Sequence, residues 1–327
     1  MPDKVRWGIL GTGNIARKFA DDLRTLPDAR IVAVGSRSKS KAETFGAAFD
    51  IPHCHGTPEA LATDPEVDCV YVATPHPFHH GNALLCLNAG KAVLCEKPFT
   101  INAQQAAEVI QTAQRKKVLL MEAMWTRCFP LMIKFRELLA KKVIGDLQLL
   151  TADFGFRAEF DPKSRLFDPH LGGGALLDIG VYQVSLDSMV FGEPTGISGT
   201  AVLGETTVDE QASITLKFEA GQLAVLHTTI RANTFCEARL VGTLGRIAIH
   251  SPFWKPSKMT ISIEGQKDEL IEMSYAGHGY HFEASEFMNC FRQGKLESAL
   301  MPHHETLSIM RTLDTLRGKF GVRYPME

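Results

Sequence analysis

Three short stretches of this chain carry residues whose types and spacing suit chemistry. The first, Gly11-Thr12-Gly13-Asn14-Ile15-Ala16, has the spacing GxGxxA. In that pattern the first glycine makes a tight turn and the second lets the backbone approach a pyrophosphate. The small third residue lets a helix pack closely on its strand. Amides at Gly13, Asn14 and Ile15 would then face phosphate oxygens at the opening of the helix. About twenty residues further on, an acid would bind a ribose 2′-hydroxyl. The run here is Gly35-Ser36-Arg37-Ser38-Lys39, with no acid between Asp28 and Glu43. Arg37 suits a 2′-phosphate and can stack on adenine, with Ser36 and Ser38 as hydroxyl donors. This predicts NADP(H) rather than NAD; the plainer alternative is a solvated surface arginine.

The second stretch is in two pieces, Thr74-Pro75-His76-Pro77-Phe78-His79-His80 and Cys95-Glu96-Lys97-Pro98, each at the carboxyl end of an apolar run. Open α/β sheets bind ligands at such ends. Lys97, held there by the following proline, is placed to reach a nicotinamide ribose and a substrate hydroxyl, and its charge would favour deprotonation of a neighbouring acid. Taken alone, Glu96-Lys97 reads equally well as a surface ion pair. The third stretch runs from Leu171 through Gly172-Gly173-Gly174 to Asp178 and Tyr182. The glycines let backbone or ligand come close. On a predicted helix from Gly174 to Val190 the acid and the phenol, four apart, share one face. Together they suit the handling of a proton.

These positions need a scaffold of strands and helices to hold them. Up to about residue 120, apolar runs (Val5–Leu10, Ile31–Ser36, Cys69–Thr74, Ala92–Cys95, Val118–Glu122) alternate with helix-period segments, which predicts a parallel α/β sheet of Rossmann type. After Trp125 the pattern changes to a helix, the strand Leu147–Phe156 and an irregular charged loop from Arg157 to Gly174. The helix bearing Asp178 and a series of hairpin-linked strands follow, and two helices close the chain. The predicted class is α/β: a Rossmann domain over 1–124, then an α+β domain over 125–327 with a large, mostly antiparallel open sheet.

Composition narrows the partners. The 327 residues carry a formal net charge of −2 with both signs interspersed, so nothing marks the chain for nucleic acid or an anionic membrane. No apolar run approaches a membrane span, and Met1-Pro2-Asp3-Lys4 leads directly into the first strand, leaving no room for a signal peptide. Seven cysteines are scattered without a CxxC pair. They read as reduced core thiols in a cytoplasmic protein, with neither a disulfide framework nor a metal site expected.

GxGxxA near the start, the Glu96-Lys97-Pro98 tripeptide and the Gly-Gly-Gly…Asp178…Tyr182 helix together resemble the Gfo/Idh/MocA oxidoreductases along essentially the whole chain. Ala92–Pro98, Met121–Arg127 and Gly173–Gly180 resemble more narrowly its dimeric dihydrodiol dehydrogenase branch, which oxidises trans-dihydrodiols of arenes and D-xylose with NADP. Tyr182 fits that branch too, since many other members carry His there. The resemblance implies that Lys97 and Tyr182 form the catalytic pair, with Asp178 binding substrate hydroxyls or orienting the pair. It places Thr74, His76, His79 and Glu96 in the cofactor loops, with His76 and His79 beside the nicotinamide half. Trp125 and Arg127 are expected to flank the nicotinamide, Trp125 also facing substrate. Phe154 and Trp254 line an apolar wall for an arene ring or sugar face, or are ordinary core. A homodimer through the second domain's sheet is expected by analogy.

The expected reaction is hydride transfer between NADP(H) and an aldose C1, such as that of D-xylose, or a trans-dihydrodiol. The alternatives are reduction of a keto or anhydro sugar or a dicarbonyl, an NAD(P)-using glycosidase with no net redox, and a non-catalytic NADP(H) sensor. The charged loop 157–167 departs from the pattern of the animal dihydrodiol enzymes, which leaves their substrate preference open here.

Overall fold

The computed structural model describes residues 4–327; the opening Met1-Pro2-Asp3, read above as running into the first strand, lies outside the described residues. In chain order the elements are β1 (Val5–Leu10), α1 (Asn14–Leu23), β2 (Ala29–Gly35), α2 (Lys39–Phe49), β3 (His53–His55), α3 (Pro58–Ala62), β4 (Cys69–Val72), α4 (His79–Asn88), β5 (Ala92–Glu96), α5 (Ala103–Lys116) and β6 (Leu120–Ala123). Then come α6 (Pro130–Ala140), β7 (Leu147–Gly155), α7 (Val181–Phe191), β8 (Gly196–Leu203), β9 (Asp209–Lys217), β10 (Leu223–Thr229) and β11 (Ala238–Gly242). The series ends with β12 (Gly245–Ile249), β13 (Lys258–Ile263), β14 (Glu269–Glu272), α8 (Tyr280–Arg292) and α9 (His303–Phe320).

Two compact units result, one of residues 1–125 with 276–306, the other of 126–275 with 307–327. The first holds a six-stranded parallel sheet in the order β3-β2-β1-β4-β5-β6, the doubly wound arrangement of dinucleotide-binding folds. Its central strands are buried along nearly their whole length because helices cover both faces. The core centres on Trp7, whose ring meets Phe19 at 5.5 Å and Phe287 at 5.1 Å, while Phe19 stacks on Tyr71 at 3.7 Å.

Phe287 belongs to α8, and here the structure corrects the sequence reading, which placed all of 125–327 in the second domain. Residues 276–306 pack with the first unit. The physical reason lies in Asp22 of α1, which is buried and accepts from His278 N at 2.8 Å and Tyr280 N at 2.7 Å, with His281 Nδ1 at 3.4 Å. It thereby caps a helix whose own N-cap, Gly279, has no side chain to do so. Burial alone would raise the Asp22 pKa, but these donors outweigh it and hold the group below its usual value.

The second unit holds an eight-stranded sheet, β14-β13-β12-β11-β7-β10-β9-β8, antiparallel except where β10 runs parallel to β7. Along β9 and β10 burial alternates residue by residue, so one face is covered and the other open. The sequence missed the two shortest strand-and-helix elements, β3 and α3, and also β14.

Asp22→Ala removes the acceptor of the buried Tyr280 amide and the part-buried His278 amide, and we expect it to cost about 3 kcal/mol. Asp22→Asn, which keeps an acceptor, is expected to cost less. Urea unfolding at neutral pH measures both, and the wild-type advantage over Ala should shrink as pH falls and Asp22 gains its proton in the native state.

Candidate active site

The carboxyl ends of the parallel strands carry the first unit's chemistry-bearing residues. Gly11 lies at φ +117°, and a Cβ there would sit 2.5 Å from Ala73 O, so only glycine lets the β1–α1 turn pass so close to the end of β4. Gly13 is the opposite case: a Cβ would meet nothing within 4 Å, which leaves open space before the helix. Ser38, Thr57 and Asn102 cap α2, α3 and α5 with their side chains, whereas α1 starts at Gly13 with no side-chain cap. Its first amides therefore need another acceptor, and Asn14 and Ile15 are exposed beside them. A close-packed turn, a bare helix start and empty space above it fit a dinucleotide pyrophosphate.

Arg37 stands exposed just past β2, its guanidinium carbon 4.6 Å from the centre of the Phe78 ring. That contact holds the guanidinium against the short His76–Phe78 turn after β4. Ser36 and Ser38 are half-buried, and Ser36 Oγ accepts from Ser38 N at 3.3 Å. This cationic and hydroxyl-bearing corner fits a 2′-phosphate.

The loops after β4 and β5 are joined through His79. It is fully buried, with Nδ1 2.9 Å from Pro98 O and Nε2 2.7 Å from Thr74 O. Burial pushes its pKa down, against the carbonyl contacts that favour its protonated form. The expected place beside a nicotinamide does not suit so enclosed a ring; His79 instead ties the Thr74 loop to the Lys97-Pro98 loop. Half-buried His76 lies edge-on to it at 5.8 Å, and Thr74 Oγ1 accepts from Asn82 at 3.1 Å. Glu96 is also held inside, its carboxylate accepting from the Tyr71 hydroxyl and from Lys97 N at 3.0 Å. It fixes the backbone that presents half-buried Lys97, whose bond to Pro98 is cis. Trp125 is buried and stacks face to face on Tyr280 at 4.5 Å.

In the second unit, Arg127 is buried, with Nε donating to Ser185 Oγ at 2.9 Å and Nη2 to Ser185 O at 2.7 Å. The expected helix bearing Asp178 and Tyr182 is not continuous. Leu176–Gly180 forms a π-helical turn and α7 begins only at Val181, so the α-helical i, i+4 relation assumed from spacing does not hold. Such turns recur at functional sites. Its entry is fixed from several sides. Gly174 lies at φ +117° against Asp209, Asp209 Oδ2 accepts from Leu176 N at 2.6 Å, and the Tyr324 hydroxyl donates to Gly173 O at 2.7 Å. Burial pushes Asp209 up to about 7.

Asp178 is buried and pairs with Arg165 Nη1 at 2.7 Å; the arginine reaches in from the charged loop and is itself more than half exposed. Tyr182, 8% exposed, has its ring 5.7 Å from Phe154, and Phe154 stacks on Trp254 at 3.5 Å. Tyr182, Phe154 and Trp254 thus make one aromatic surface, with Trp254 half-buried at its edge and anchored by Thr126 Oγ1, which donates to Trp254 O at 2.6 Å. The sequence could not foresee the Arg165–Asp178 pair or the Asp209 and Tyr324 ties, because partners far apart in sequence share no motif.

Together, the bare glycine turn, the doubly wound sheet and the phenol on an aromatic wall define a nicotinamide-dependent oxidoreductase. Residues 5–124 match the family described as oxidoreductase family, NAD-binding Rossmann fold, and 132–248 match the GFO/IDH/MocA C-terminal domain. The chain belongs to the Gfo/Idh/MocA family of oxidoreductases. It is 39% identical to trans-1,2-dihydrobenzene-1,2-diol dehydrogenase of Danio rerio, over 99% of each chain. To the D-xylose 1-dehydrogenase (NADP(+)) of Hypocrea jecorina it is 38% identical, over 99% of this chain and 94% of that one. Among solved structures, the aldose-aldose oxidoreductase of Caulobacter crescentus superposes with a TM-score of 0.88 at 23% identity, covering 96% of this chain and 97% of that one. The 3-ketoreductase of Actinomadura kijaniata in complex with NADP does so at 0.85 and 25%, with the same coverage.

Asp209 yields a signed pH dependence. Between an ordinary carboxylate value near 4 and about 7, the native state holds a proton that the unfolded state has lost, so this group makes stability fall as pH rises through that window. Asp209→Asn should remove that slope and gain up to ~4 kcal/mol relative to wild type between pH 4 and pH 8, since each such pH unit is worth ~1.4 kcal/mol. Chemical unfolding of both proteins across that range checks it.

Proposed function

We propose that the chain transfers hydride between NADP(H) and a secondary alcohol or hemiacetal, an aldose C1 such as that of D-xylose or a trans-dihydrodiol, with Tyr182 and Lys97 as the proton-transfer pair. The observation that carries this is the Tyr182 phenol on the Phe154–Trp254 surface, on the same segment as the anchored carboxylate of Asp178. A flat apolar wall takes an arene ring or the apolar face of a pyranose, and a fixed acid takes hydroxyl hydrogen bonds.

Gly11, Gly13, Asn14 and Ile15 would hold the pyrophosphate, and Ser36 and Arg37 the 2′-phosphate. Thr74, His76 and Trp125 would border the nicotinamide half, while His79, Glu96 and Arg127 act as positioning residues behind it. The bound dinucleotide supplies the hydride acceptor or donor. In oxidation Tyr182 accepts the substrate hydroxyl proton as the hydride leaves the same carbon; in reduction it returns that proton. The Lys97 ammonium favours the phenolate that does this. Asp178, steadied by Arg165, accepts from a second substrate hydroxyl. Oxidation at C1 of a pyranose gives the lactone.

Two broader assignments belong to the same proposal. All seven cysteines are free thiols, which suits a reducing compartment, the cytoplasm. The open face of the second unit's sheet carries Leu223, Leu149 and Val241 in one register row, with exposed Val225 two residues along β10 from Leu223. Such a face suits a second copy of the chain. Light scattering after gel filtration should give twice the 36.0 kDa chain mass, and Val225→Lys should shift it toward the monomer.

For the site, Tyr182→Phe and Lys97→Met should each lower kcat by about 10²–10⁴-fold with little change in NADP affinity. Arg37→Ala should weaken NADP by about 10- to 100-fold, the loss of a charge-assisted contact, and leave NAD nearly unchanged. Steady-state rates with D-xylose and a trans-dihydrodiol, together with nucleotide titrations, measure all three. Near-wild-type turnover in both Tyr182→Phe and Lys97→Met would overturn the pair.

A further inference from the structure

Strand β3 holds His53, Cys54 and His55 at the edge of the first unit's sheet. The two-residue period of a strand sends both imidazoles to one face and the thiol to the other, where Cys54 Sγ faces Ile51 O at 3.8 Å. Opposite the imidazoles, just past α3, stands Asp64. One of its oxygens, Oδ2, meets His53 Nδ1 at 2.7 Å and His55 Nε2 at 2.8 Å. Its other oxygen accepts from Glu66 N at 2.9 Å, and Lys91 Nζ pins the turn by donating to Asp64 O and Val67 O at 2.7 Å each. The carboxylate is therefore buried and oriented before any ligand arrives. The two rings are partly open to solvent, with side chains 40% and 22% exposed.

Two imidazole nitrogens and a carboxylate oxygen converge here, all within 4.8 Å of one another. Ligand atoms around a cation bonded at about 2.0–2.1 Å lie roughly 3 Å apart, so small movements bring these three onto one ion. Each ring then presents its lone pair, its proton moving to the other ring nitrogen, and solvent completes the coordination on the open side. Two nitrogens and one oxygen select a borderline transition cation, since calcium and magnesium favour all-oxygen sets. We propose that His53, His55 and Asp64 form a binding site for one divalent transition-metal ion of the zinc class. The ion clips the three-residue edge strand β3 to the turn after α3. That strand also adjoins the cofactor corner, because His55 O accepts from Ser36 N at 3.1 Å. The absence of paired cysteines, which argued against a metal site in the sequence, does not bear on a histidine–aspartate set.

Calorimetric titration of the 327-residue chain with zinc chloride, in a buffer free of chelators, tests this. We expect one zinc per chain with micromolar or tighter affinity and a zinc-dependent rise in melting temperature. His53→Gln and His55→Gln should each weaken binding by more than about tenfold, since even outer-shell partners of a metal command 10–100-fold, while Cys54→Ala should leave it intact. Both histidines are partly exposed, so these variants should fold, and their circular dichroism and NADP binding verify that independently of turnover. Absence of saturable zinc uptake by the wild type overturns the site. So does equally tight binding by both histidine variants, which would mean that cysteines elsewhere take the metal.

Discussion

The feature on which the rest depends is the close passage of the Gly11 backbone beside Ala73, where any side chain would collide with a carbonyl. That approach seats the β1–α1 turn at the centre of the sheet and aims the uncapped start of α1 into open space. An anion there can accept from amides that no side chain caps, and helix polarity favours it. In the sheet, β2 and β4 flank β1, and β5 lies beyond β4. Arg37, the Thr74 loop and Lys97 are carried on the carboxyl ends of β2, β4 and β5.

A second principle is that the candidate site residues are held by buried neighbours. His79 bridges the Thr74 and Pro98 carbonyls. Tyr71, through Glu96, fixes the backbone of Lys97. In the other unit Asp209 and Tyr324 fasten the glycine-rich entry to the π-turn, and Arg165 steadies Asp178. Each tie restricts the rotamer or backbone of a candidate site residue, the kind of restraint that preorganisation relies on.

Much of this was legible in the sequence because it depends on local rules. GxGxxA, Arg37 and the alternation of apolar runs with helical periods are contained in windows of a few residues, and the parallel sheet and mostly antiparallel second sheet follow from them. Where the reading departed from the structure, a non-local force decided. Residues 276–306 pack with the first unit because Asp22 and Trp7, more than 250 residues earlier in the chain, cap and receive α8. The helix with Asp178 opens as a π-turn under constraints from Asp209 and Tyr324, which no spacing rule contains. His79 looked like a ligand residue by type, and only its burial makes it a strap. The elements β3 and α3, three and five residues long, are too short to show a period.

Everything proposed for the site comes down to net hydride transfer from a carbon bearing a hydroxyl to NADP. D-Xylose deuterated at C1, incubated with the enzyme and NADP, tests it most directly. Reduced nucleotide carrying the deuterium is expected, formed in step with xylonolactone and more slowly than with unlabelled sugar when chemistry limits the rate. Should substrate be consumed with the deuterium kept on the product and no reduced nucleotide accumulating, the assignment as an NADP-dependent dehydrogenase would be contradicted.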